Sequence, residues 1–100
     1  MPSGIQILEE SNCIVIVRFV ITAKTAGNRI VYGVRDFVDS NTYVDSVEAT
    51  VNVSSYSQVY SYIRVRKFDA KTYLRPIASV DNGGICNSCT ITIVALKSLI

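Results

Sequence analysis

Residues 59 to 66 read Val59-Tyr60-Ser61-Tyr62-Ile63-Arg64-Val65-Arg66, and the order of these side chains decides the fold class. Val59, Ser61, Ile63 and Val65 fall on one side of an extended chain; Tyr60, Tyr62, Arg64 and Arg66 fall on the other. A period of two belongs to a β-strand, because successive Cβ atoms point to opposite faces of the pleat. The same period sets Tyr43, Asp45, Val47, Ala49, Val51 and Val53 against Thr42, Val44, Ser46, Glu48, Thr50 and Asn52. It returns as Cys89, Ile91, Ile93 and Ala95 against Thr90, Thr92, Val94 and Leu96.

Working outward, Cys13 to Ala23 is apolar on both faces near its start, which predicts a central strand or one covered by another subunit. Thr25-Ala26-Gly27-Asn28 predicts a hairpin between a strand ending near Lys24 and one starting near Arg29. Asp39-Ser40-Asn41 and Asp81-Asn82-Gly83-Gly84 predict two further turns. Strands are expected near 5–10, 13–24, 29–38, 42–53, 58–68, 71–80 and 88–98. Pro76 demotes the sixth to an edge or a bulge, since proline cannot donate to a ladder. About seven short strands with no amphipathic helix between them predict an all-β fold, an antiparallel β-sandwich or a small barrel.

Composition bounds what such a domain does. The chain has 100 residues, 49% hydrophobic and only 18% charged, which predicts one folded domain over 1–100, with 1–12 available as an N-terminal arm. So little charge also leaves apolar surface for a partner to cover. The net charge is +2, and Lys and Arg are scattered from Arg18 to Lys97, so nucleic acid is not the expected partner. No apolar run approaches the length of a membrane-spanning helix. Met1-Pro2-Ser3-Gly4 does not open a basic and then apolar leader, so folding in a cytoplasm is expected. Three cysteines, Cys13, Cys86 and Cys89, are expected to be reduced there.

Catalytic patterns are missing. With no histidine in the chain, Ser-His-Asp and Cys-His catalysis are excluded, and the commonest metal ligand is absent. A carboxylate or Ser-Lys site stays formally open. However, the acidic residues Glu9, Glu10, Asp36, Asp39, Asp45, Glu48, Asp69 and Asp81 are expected nearly all at turns or on solvent faces. Cys86-Asn87-Ser88-Cys89 is a C-x-x-C without the further ligands that zinc needs. It runs into a strand, whereas a redox pair sits at a helix start that lowers a thiol pKa. It reads as a turn cysteine and a buried strand cysteine. Asp81-Asn82-Gly83-Gly84 meets neither a P-loop nor an EF-hand pattern and reads as a turn. No enzyme activity, cofactor or metal is expected.

Two features point to contacts. Tyr60, Tyr62, Arg64 and Arg66 share a face, and Tyr and Arg are enriched at protein interfaces and in sugar-stacking platforms; the plainer reading is cross-strand Tyr-Arg packing that needs no ligand. Both ends are apolar, with Ile5 and Ile7 at the start and Leu99 and Ile100 at the finish. Such segments dock into their own sheet or pair with a neighbour's edge.

Gly4-Ile5-Gln6-Ile7-Leu8, followed by a short polar turn and a second hydrophobic strand, resembles the start of small tailed-phage virion proteins. The resemblance covers about a tenth of the chain. It implies a head-decoration, cement or tail protein: a compact β domain, often trimeric, whose terminal arms clasp neighbours. The expectation is thus a self-assembling structural subunit of a virion, folded in the host cytoplasm. It would act as a homo-oligomer, with a trimer favoured, alongside another structural protein. The alternative is a monomeric carbohydrate- or peptide-binding module using the Tyr/Arg face.

Overall fold

The computed structural model describes residues 4–24, 26–51 and 57–96. The strands are β1 (Ile5–Gln6), β2 (Ser11–Thr22), β3 (Arg29–Val38), β4 (Asn41–Thr50), β5 (Ser57–Phe68), β6 (Tyr73–Val80) and β7 (Ile85–Leu96), with a 3-10 turn over Asp81–Gly83. Every pairing is antiparallel. One sheet has four strands in the order β1-β6-β3-β4 and the other three in the order β5-β2-β7. The chain is therefore all-β, and of the two expected architectures it takes the sandwich.

β2 organises the interior. It is the central strand of the three-stranded sheet, and its odd-numbered residues Val15, Val17, Phe19 and Ile21 are 1% exposed or less. They meet Ile30 and Val34 of β3 and Leu74 of β6, which are equally buried. A ladder of rings bridges the sheets: Phe19 packs edge-on to Tyr32, and Tyr32 against Tyr60, each pair 5.6 Å between centroids. Offset and edge-on contacts of this kind add to the area that aromatics bury.

β3 and β4 form a tight hairpin, Val38 opposite Asn41, with Asp39 at φ 53°, a conformation aspartate tolerates better than most residues. Gly33 in mid-β3 lets β4 approach closely, since a Cβ there would run into the main chain of Asp45 and Ser46. The hairpin expected across 25–28 is not formed. β2 ends at Thr22 and β3 begins at Arg29 in the other sheet, so the two strands do not pair; Thr25 itself lies outside the described residues. Turn residues mark where a chain reverses, but not the sheet in which it continues.

β6 pairs with β3 along its length, while β1 covers its other side only at Tyr73 and Leu74. Its flank is therefore open at Pro76, as a strand proline requires. The segment expected to serve as an arm is, over residues 4–12, part of this sandwich. β1 joins β6, the Ile7 N–H donates to the Thr72 carbonyl at 2.8 Å, and the Lys71 N–H donates to the Ile7 carbonyl at 2.7 Å.

Candidate functional site

Tyr60, Tyr62, Arg64 and Arg66 do share a face of β5, and that face turns inward. The register sets Tyr60 opposite Phe19, Tyr62 opposite Val17, Arg64 opposite Val15 and Arg66 opposite Cys13. Directly opposed residues point to the same side of a sheet, so β5 follows β2 into the interior. Tyr62 is 1% exposed. The Tyr62 ring is thus closed to a sugar or a neighbouring subunit, while Tyr60, Arg64 and Arg66 are half-buried.

They close one side of the sandwich instead. Asp36 of β3 and Asp45 of β4 also point inward, which corrects the expectation that the acidic residues occupy turns and solvent faces; Asp36 is buried and Asp45 half-buried. The Arg66 guanidinium grips Asp36 with both terminal nitrogens, Nη1 to Oδ1 at 3.1 Å. It also lies over the rings of Tyr43 and Phe68, at 4.9 and 4.7 Å from their centroids. The Tyr62 hydroxyl donates to Asp45 at 2.5 Å. Arg64 pairs with the same carboxylate at 3.3 Å while lying over the Tyr62 ring at 5.1 Å.

Burial, the hydrogen bond to Asp45 and that carboxylate's charge push the Tyr62 phenol above its usual pKa. Burial works against the charged form of Arg66, but Asp36 and Tyr62 more than offset it and leave its pKa raised. Every one of these groups is engaged by another, so the cluster is a polar seam joining the sheets.

The signal for this placement lay two residues further on. Phe68, of the same parity as Tyr62, is 3% exposed. The even-numbered series of β5 therefore ends in a large ring, and its aromatic bulk outweighs that of Val59, Ser61, Ile63 and Val65.

The opposite face of β5 has the reverse character. Val59, Ile63 and Val65, with Val94 and Leu96 of β7, are between 43 and 66% exposed. They line up across the sheet with half-buried residues of β2, Val65 and Val94 flanking Ile14, Ile63 flanking Ile16, and Val59 flanking Val20. Arg18, between Ser61 and Thr90, interrupts this surface and leaves its larger part on the Ile14 and Ile16 side.

The structure brings residues 5–8 and 93–96 to one end of the sandwich. Ile5, Ile7 and Leu8 face Ile93, Ala95 and Leu96 across a cleft of about 690 Å³. Ile7 is buried and Ile5 half-buried, whereas Leu99 and Ile100 lie outside the described residues.

The C-x-x-C lies entirely within β7. The ladder with β2 passes from Ser88 to Cys86 without using Asn87, so Asn87 is a bulge residue, and its amide bonds Thr22 and Ser57 at 2.7 and 3.1 Å. The bulge turns Cys86 and Cys89 to the same side, where both pack against the core. Burial, and for Cys89 also the neighbouring Cys86, raise both thiols, Cys89 to about 11. This is opposite to the direction a reactive pair needs. Among the described residues no group of three His, Cys, Asp or Glu side chains gathers.

Compared with protein-family models, curated proteins and solved structures, the chain matches none.

Proposed function

We propose that the chain is a structural subunit that assembles with copies of itself through the outer face of the β5-β2-β7 sheet. The observation that carries this reading is the run of aliphatic side chains on that face, from Val59, Ile63 and Val65 to Val94 and Leu96. Stacking two such faces, about 10 Å apart as sheets pack, removes those side chains from water at about 25 cal/mol per Å².

The strand edges favour a second copy as the occupant. β4 carries Asp45 and Glu48, and β5 carries Arg64, Arg66 and Lys67, so either edge set against its own copy opposes like charges. β7, from Ile85 to Leu96, carries no charge and no proline, and natural proteins usually protect long edges with one or the other. It borders the apolar face through Val94 and Leu96, so face and edge can be covered together. A virion coat or tail is the setting that the resemblance at Gly4 to Leu8 offers for such a subunit.

The test is the solution mass by light scattering across a wide concentration range, for the wild type and for Ile63→Arg. A defined oligomer that Ile63→Arg reduces to the 11.0 kDa monomer, with an unchanged melting temperature, is the expected result. A wild type that stays monomeric at every concentration overturns the proposal.

A further inference from the structure

The other outer face, that of the four-stranded sheet, carries a pair of arginines that no acid among the described residues neutralises. Arg35 of β3 and Arg75 of β6 stand directly opposite each other in the ladder, both exposed. Like charges so placed repel and destabilise a sheet. Neither has an ion pair, hydrogen bond or ring contact among the described residues.

The acids that could have compensated are committed elsewhere. Asp36 and Asp45 face inward to Arg66, Tyr62 and Arg64. Glu48 lies two outer-face rows away, opposite Val31, and is held by Arg29. On β4 the residue opposite Arg35 is Val44.

The surroundings leave room for a ligand. Arg35, Arg75 and the segment Pro76 to Ala78 line a depression of about 340 Å³. In the outer row on the other side of the arginines, Phe37 and Tyr73 pair as tilted rings 6.4 Å apart. A guanidinium is a planar fork of N–H donors that grips an oxyanion with two parallel bonds, and two forks can converge on one tetrahedral group.

We propose that Arg35 and Arg75 form a site for a phosphate or sulfate group. Each guanidinium would donate to the oxyanion, whose charge would relieve their mutual repulsion. The site lies on the sheet opposite the assembly face, so it stands or falls independently of self-association.

Arg18 supplies an internal control. It is exposed on the other outer face, between Ser61 and Thr90, with no second arginine opposite it. The experiment titrates sodium phosphate, sulfate and acetate, at constant ionic strength, into the full chain while the arginine Nε–H resonances are followed by NMR. Arg35 and Arg75 should move together along one saturating curve, with phosphate or sulfate on the order of tenfold tighter than acetate or than any response at Arg18. The stronger of the two arms identifies the group. Arg75→Gln should weaken the response still visible at Arg35 by a similar factor, and Arg35→Gln that at Arg75, with melting temperatures confirming that both variants fold. Linear shifts without saturation, or Arg18 following the same curve, would mean an adventitious ion only and overturn the proposal. So would an Arg35 response unchanged by Arg75→Gln.

Discussion

The two faces of β5 invert the usual arrangement of a sandwich strand. The inner face holds two arginines, two tyrosines, a glutamine and a phenylalanine; the outer face holds two valines, an isoleucine, two serines and, at its end, Lys67. On the inside, each charge is matched by a carboxylate from the facing sheet and each ring lies against a guanidinium or another ring. On the outside, nothing among the described residues covers the aliphatic side chains. Polarity alone therefore does not decide which face of a strand is buried. A buried arginine is tolerable where its partners are in place, and an exposed isoleucine is tolerable where a partner arrives later.

The comparison breaks most forcefully at Arg66. Replacing it by alanine strands the buried Asp36 carboxylate without its counter-charge and removes the packing between Tyr43 and Phe68. Breaking a buried pair from one side costs about 3 to 5 kcal/mol. Arg66 keeps some access to water, which argues for the lower end of that range. A loss of about 3 kcal/mol in urea unfolding, or a melting temperature lower by roughly 12 °C or more, is the expected outcome. An Arg66→Ala protein as stable as the wild type would show that the seam does not hold the sheets together.

Tyr62→Phe is a milder change to the same seam. It keeps the ring against Arg64 and removes only the hydroxyl that donates to Asp45. Arg64 still serves that carboxylate, so the expected loss is about 1 to 2 kcal/mol, in the range of hydrogen bonds to charged groups.

These two positions also show how far the sequence could be read. The alternation placed Tyr60, Tyr62, Arg64 and Arg66 together because side-chain parity is a local property of one strand. Which way that face points depends on pairing with β2, a contact distant in sequence. Asp45 was legible in part, since it shares a face with Val47 and Ala49 and so belongs to an apolar, inward series. Asp36 was not, because its partner Arg66 lies on another strand of another sheet. The strands of 29–38 and 58–68 were legible almost to the residue, and those of 42–53 and 88–98 with ends shifted by a few residues. The step from β2 to β3 in the other sheet was not, because a turn sequence serves a hairpin and a sheet-to-sheet connection alike.

Alkaline pH acts on the interior and spares the outer face. Cys89, pushed up to about 11, and Tyr62, also raised, each have a folded pKa above the unfolded value. Their neutral forms are thus favoured by folding; for Cys89 the associated stability is complete below the unfolded thiol value of about 8.5 and lost as pH rises through about 11, and for Tyr62 it is complete below about 10 and lost above that. The melting temperature should fall between pH 9 and 11, and Tyr62→Phe should make the fall shallower above pH 10. A profile that Tyr62→Phe leaves unaltered would place the titrating group elsewhere.

The smallest effect on stability sharpens the comparison most. Val65 is the most exposed valine on the outer face, and Val65→Lys removes no interior contact and buries no charge in the monomer. Its unfolding free energy should stay within about 0.5 kcal/mol of the wild type, as for surface substitutions generally. In an assembly stacked on this face, however, the same lysine would be enclosed among Ile14, Ile63 and Val94, where an unpaired ammonium is strongly disfavoured. Val65→Lys should therefore abolish the oligomer while leaving the monomer intact, whereas Arg66→Ala should weaken the monomer itself. If Val65→Lys instead destabilises the isolated chain, Val65 contributes to the monomer's own packing and the outer face is not a free surface. If the oligomer persists, assembly runs through another surface, with the uncharged β7 edge the next to test.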